Sequence, residues 1–85
     1  MRRPRIDVAI HAQIDRRISL LRDVVRSGGR DHWPHLHSHG HHFPTVLAAV
    51  REGYLKAEPS YVFEITRSGE RYLADIETAR LRGHQ

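Results

Sequence analysis

The chain has 85 residues, of which 39% are hydrophobic and 28% charged, and it contains no cysteine. That is enough for one domain with a small core, too apolar for a disordered chain, and it excludes disulfides and thiolate metal sites. Lys and Arg outnumber Asp and Glu by 14 to 10, with 13 of the 14 being arginine, which favours a polyanionic partner.

Residues 1–6 read as a basic arm carrying Arg2, Arg3 and Arg5, and residues 83–85 as a short tail. The start is a poor signal peptide, because Asp7 and His11 interrupt it. No apolar run approaches the ~20 residues of a membrane span, so no membrane partner is expected, and the lack of cysteine suits a reducing cytoplasm as the expected setting. "IHAQIDRRISLLRDVVRSGG" predicts a helix with an apolar stripe at Ile10, Ile14, Ile18, Leu21 and Val25, stopped at Gly28-Gly29. Asp31 is placed to cap a short second helix through "HWPHLHSH", ending at Gly40.

"FPTVLAAVREG" restarts a helix, with Pro44 near its beginning, Val46, Leu47 and Val50 as its stripe, and Gly53 at its end. A hairpin follows: a short strand at Tyr54 to Ala57, a turn at Pro59-Ser60, and a strand in which Tyr61, Phe63 and Ile65 share one face. "TRSGERYLADIETARLRG" is helical again, capped by Thr66 or Ser68, with Tyr72, Leu73 and Ile76 turned inward. The expected core joins Ile14, Ile18, Leu21, Val46, Leu47, Val50, Leu55, Phe63, Ile65, Leu73 and Ile76.

The fold class expected is mainly α with a small two-stranded hairpin. Its order resembles the winged helix-turn-helix superfamily. The resemblance is carried by "VLAAVREGYL", by Gly53-Tyr54-Leu55, and by Ile65-Thr66-Arg67-Ser68-Gly69 running from strand into helix. With Gly40 as the turn glycine, Leu36, Val46 and Ala49 fall where that motif locks its two helices. His41 then stands where an apolar residue is usual, and Pro44 falls at the start of the third helix. The resemblance implies one domain over residues 1–85 and a small DNA-binding transcriptional regulator of bacterial or phage type.

Six histidines crowd residues 32–42, "HWPHLHSHGHH". A metal site needs converging imidazoles. His35, His39 and His42 share a face if the helix runs unbroken, whereas His35, His37, His39 and His41 align only if the segment is extended. Zinc or nickel held adventitiously is expected, and no built cofactor. Catalysis lacks a frame: Ser38 has no oriented base, and no paired carboxylates, phosphate-binding glycine loop or nucleotide fingerprint is present, so no enzyme is expected.

The segment reads best as a polar contact surface facing duplex DNA, and one that would bind anions better as pH falls. Its expected contacts are His37, Ser38, His39, His41, His42 and Thr45, with Arg51 on the third helix, Lys56 on the hairpin, and Arg2, Arg3 and Arg5 in the arm. A homodimer through the terminal helices is expected, since these offer more apolar surface than one small core uses. The competing reading is a winged-helix protein-binding module, such as a phage or mobile-element inhibitor of a host protein complex.

Overall fold

The computed structural model describes the backbone of residues 5–83 and the side chains of residues 11–82. In chain order the elements are α1 (Arg5–Arg26), β1 (Arg30–His32), α2 (Trp33–Ser38), α3 (Phe43–Arg51), β2 (Leu55–Glu58), β3 (Val62–Ile65) and α4 (Arg67–Gly83). The protein is therefore mainly α, with one small antiparallel sheet in the order β1-β3-β2. Two residues expected in the arm, Arg5 and Ile6, belong to α1, and Gly83 of the expected tail closes α4. Arg2 and Arg3 lie outside the described residues.

Helix α1 is the central support, packing against α3, α4 and both β1 and β3. Being covered from several sides, it buries a broader arc than a single stripe. Ile18, Leu20, Leu21 and Val24 are all buried, whereas Val25, expected inward, is exposed. Leu20 and Val24 were missed because a 3.6-residue stripe describes a helix with one covered face.

Three helices end in the same way. At the end of α1, Gly28 N–H donates to Val25 O at 3.0 Å and Gly29 N–H to Val24 O at 2.9 Å. At the end of α2, Gly40 N–H reaches His37 O and His41 N–H reaches Leu36 O. At the end of α3, Gly53 N–H reaches Val50 O and Tyr54 N–H reaches Ala49 O. These are paired Schellman closures, and the residue that makes each of them has φ between +84° and +89°, a region that favours glycine. Each closure also aims the residue after the glycine back at the helix it has just left.

The sheet has three strands and not two. β1 pairs with β3 through Arg30↔Glu64, Asp31↔Phe63 and His32↔Val62, while β2 pairs with β3 from Leu55↔Ile65 to Glu58↔Val62. Across the sheet, Arg30 Nε donates to Glu58 Oε1 at 2.9 Å. The strand "RDH" has no apolar alternation to announce it. It forms because the turn at Gly28-Gly29 returns the chain alongside β3, where Ile65 N–H donates to Gly29 O at 2.8 Å. Tyr61 is also corrected: it lies in the turn between β2 and β3, 66% exposed, and not on the inward face.

The core joins Ile18, Leu20, Leu21, Val24, Leu36, Val46, Ala49, Leu55, Phe63 and Leu73. Ile14, Val50, Ile65 and Ile76 are half-buried against it. Leu47 is corrected from core to surface at 42% exposure. At the start of α4, Thr66 Oγ1 accepts Gly69 N–H at 3.0 Å and donates to Gly53 O at 2.6 Å. One hydroxyl thus caps α4 and ties it to the end of α3. Gly69 is buried, and a Cβ there would run into the Tyr54 carbonyl.

Two substitutions test this packing by denaturant unfolding. Phe63→Ala should lose about 3–5 kcal/mol through the cavity it leaves. Gly69→Ala should lose about 1–3 kcal/mol, because the backbone it strikes cannot swing aside as a side chain would. A change below ~0.5 kcal/mol at either position would contradict the register of β3 or the seat of α4.

Candidate functional site

Helix α2 has six residues, too few to persist without tertiary support, and its N-cap His32 makes no side-chain capping bond. Its support comes from carboxylates at both ends. Asp31 does not cap α2 with its side chain, as the sequence reading has it, but sits one residue earlier in β1, 7% exposed. There its carboxylate accepts three hydrogen bonds: Ser27 Oγ at 3.0 Å, His32 N–H at 2.8 Å and His35 Nδ1–H at 2.6 Å. Burial pushes the Asp31 pKa up. The bonds from His35, His32 and Ser27, with the charge of His35, more than offset that and hold it below its ordinary 3.8. An ionised carboxylate only accepts, so the His35 proton facing it is on Nδ1, and Nε2 is left free of Asp31.

The far end of α2 is held by Asp23 of α1. The closure at Gly40 turns His41 inward, where its side chain is 7% exposed and its Nε2–H donates to Asp23 Oδ2 at 2.6 Å. His39 Nδ1 lies 3.9 Å from the same oxygen, and Arg26 lies 3.6 Å from the other oxygen of that carboxylate. A position expected to be apolar is thus filled by a histidine that brings its hydrogen-bond partner with it. Leu36 of α2 and Val46 and Ala49 of α3 are buried in the common core.

The surface left around this turn differs from the expected one. His37, Ser38, His39 and His42 are exposed and Thr45 is half-buried, whereas His41, expected as an open contact, is largely buried and shows only a small part of its surface in the depression at the turn. His39, Gly40, His42 and Thr45 line a depression together with Asp15, Arg16 and Ser19 of α1. Arg16 was not foreseen as a site residue, since only the packing of α1 on α3 brings it to the turn. On the other side, Trp33 and Phe43 meet edge to face at 4.9 Å, and His37 lies 5.3 Å from Trp33. Arg51 at the end of α3 and Lys56 on β2 are exposed but line neither that depression nor the one beside Trp33 and Phe43. Arg2 and Arg3, and the side chain of Arg5, lie outside the described residues.

The histidine arrays expected for a metal do not form as whole sets. The break at Gly40 separates His42 from His35 and His39, and the helical turn of α2 removes the extended array. Among the described residues no three His, Asp or Glu side chains group closely enough to hold a metal ion. Nor, among them, is any helix long and apolar enough to cross a membrane.

Asp31→Asn should lower stability at neutral pH by about 1–3 kcal/mol, since an amide cannot accept all three bonds and leaves buried donors unpaired. Because the folded-state pKa of Asp31 is depressed, its contribution is complete above 3.8 and is lost as pH falls through the lower folded value. Unfolding curves of the wild type and the variant should therefore converge in acid, and a gap that stays constant there would assign the loss to something other than the charge.

Models of known protein families, curated proteins and solved structures give no match to this chain.

Proposed function

We propose that the protein is a small DNA-binding regulator of winged-helix type, which contacts duplex DNA with the surface around the α2–α3 turn. The observation that carries this reading is the pair of helices joined at Gly40, with Leu36 of the first and Val46 and Ala49 of the second buried in one core. That pair leaves His37, Ser38, His39, His42 and Thr45 outward beside Arg16, with a β2–β3 hairpin following α3. In a helix-turn-helix this region faces the duplex. The groups on offer are imidazole and hydroxyl donors with Arg16 beside them, suited to phosphate and sugar. The first turn of α3, "FPTV", has no Arg, Lys, Asn or Gln to read base edges, so the contact is chiefly with the backbone. A two-fold dimer through the terminal helices, on which Val25 and Leu81 are exposed, would present two such surfaces to one duplex.

One observation favours a protein partner instead. Pro44 and Leu47 lie three residues apart on the exposed side of α3, and Leu47 is 42% exposed. A winged-helix module that docks on a host protein complex would use that face.

Fluorescence anisotropy with a random-sequence duplex separates the two. Binding is expected at low salt, weakening as salt rises with a log–log slope of about 0.9 per phosphate neutralised. Arg16→Ala and Arg51→Ala together should weaken binding and reduce the slope by roughly 1–2, one phosphate contact each at most. Absence of binding at low salt would overturn the DNA reading and leave the Pro44–Leu47 face as the site to pursue.

A further inference from the structure

We propose that His35 and His39 form a two-histidine site on α2 for a divalent transition cation of the zinc or nickel class. The two are four residues apart, His35 on α2 and His39 at its C-cap, and their rings stand 4.2 Å apart, centroid to centroid. Side chains at that spacing lie on one face, one above the other. His35 is already oriented as metal-binding histidines are. Its Nδ1–H donates at 2.6 Å to the buried carboxylate of Asp31, which fixes the tautomer and leaves Nε2 as the ligand atom. His39 has Asp23 at 3.9 Å from its Nδ1, so a carboxylate also lies on the inner side of the second imidazole. The two side chains are 42% and 48% exposed and so open to an entering ion.

The chemistry narrows the ligand. Paired neutral imidazoles suit zinc, copper and nickel, whereas calcium and magnesium require oxygen. With two protein ligands the remaining coordination positions belong to water, consistent with no third His, Asp or Glu converging among the described residues. The site closes a loop from His35 to His39, the last turn of α2 and the residue before Gly40. A bound ion therefore staples the least self-sufficient helix of the fold, and stabilises the folded chain by mass action. This inference does not depend on the DNA reading, because every measurement below is made without DNA.

The test titrates the full chain with Zn²⁺ by calorimetry, with thermal unfolding in parallel. One ion per chain and a rise in unfolding temperature are expected. His35→Ala and His39→Ala should each abolish the calorimetric signal and the thermal shift, while His11→Ala, on the exposed side of α1, should leave both in place. Asp31→Asn should weaken zinc binding by about 10–100-fold by releasing His35. Because that variant is also less stable, the wild-type imidazole nitrogens give an independent readout. In ¹H–¹⁵N spectra zinc should shift Nε2 of His35 while its Nδ1 keeps its proton. Several ions per chain, or a His42→Ala loss as large as that of His35→Ala, would mean an adventitious ion only, spread along the segment, and would overturn the proposal.

Discussion

Two acidic side chains hold the histidine-rich helix from opposite ends, and the surface around the turn depends on that grip. Asp31 takes hydrogen bonds from His35, His32 and Ser27 at the start of α2, and Asp23 takes His41 just beyond its end. Six residues cannot remain helical on intrinsic propensity. Leu36 is the one buried residue of α2, so hydrophobic burial supplies little to fix its orientation. Charged hydrogen bonds are directional where burial is not. They set the rotation of α2 about its axis, and with it which histidines face solvent.

The glycine closures make this economical in chain length. Each of α1, α2 and α3 is shut within two residues, so the chain reverses without loops and the next residue is pressed back onto the helix. After α1 this returns Gly29 to β3 and allows β1 to form. After α3 it places Tyr54, which stacks on Tyr72 at 4.5 Å and joins α4 to the rest. Arg17 lies 5.8 Å from both rings and pairs with Glu52 at 2.9 Å, so that one side chain of α1 touches the ends of α3 and α4. After α2 the residue pressed inward is His41. An apolar side chain would satisfy that geometry, and histidine satisfies it because Asp23 lies within hydrogen-bond reach.

Much of the fold was legible because it rests on local signals. Glycines mark the helix ends, alternation marks β3, and Thr66 three residues before Gly69 marks the α4 cap. The rest depends on contacts distant in sequence. β1 is three polar residues whose partner strand, among the described residues, lies some thirty positions on, so no window around "RDH" contains the reason for it. Leu47 follows the apolar period of α3 and is nonetheless exposed, since the period cannot tell which part of a stripe the neighbours cover. At the site, the closeness of Asp31 to His35 is readable from their i, i+4 spacing, although the same position also suits a helix cap. The pairing of Asp23 with His41 was not readable, because eighteen residues and a chain reversal separate them.

That pairing changes what the histidines mean. Read as a string, six imidazoles in eleven residues suggest one property shared by all. In the fold they divide by partner: His35 and His41 are hydrogen-bonded to carboxylates, His39 lies beside Asp23, and His32, His37 and His42 are exposed, with His37 near Trp33. Lysine or arginine at position 41 would have to bury a full charge and a long stem beside Asp23, whereas imidazole offers one donor in a compact ring. The outward positions carry no such restriction, and arginine there would serve a phosphate better. The repetition of histidine at the inner positions therefore follows from the packing of α2 between two acids. A fixed positive charge beside this turn comes from Arg16, one helix away, and Asp15 lines the same depression.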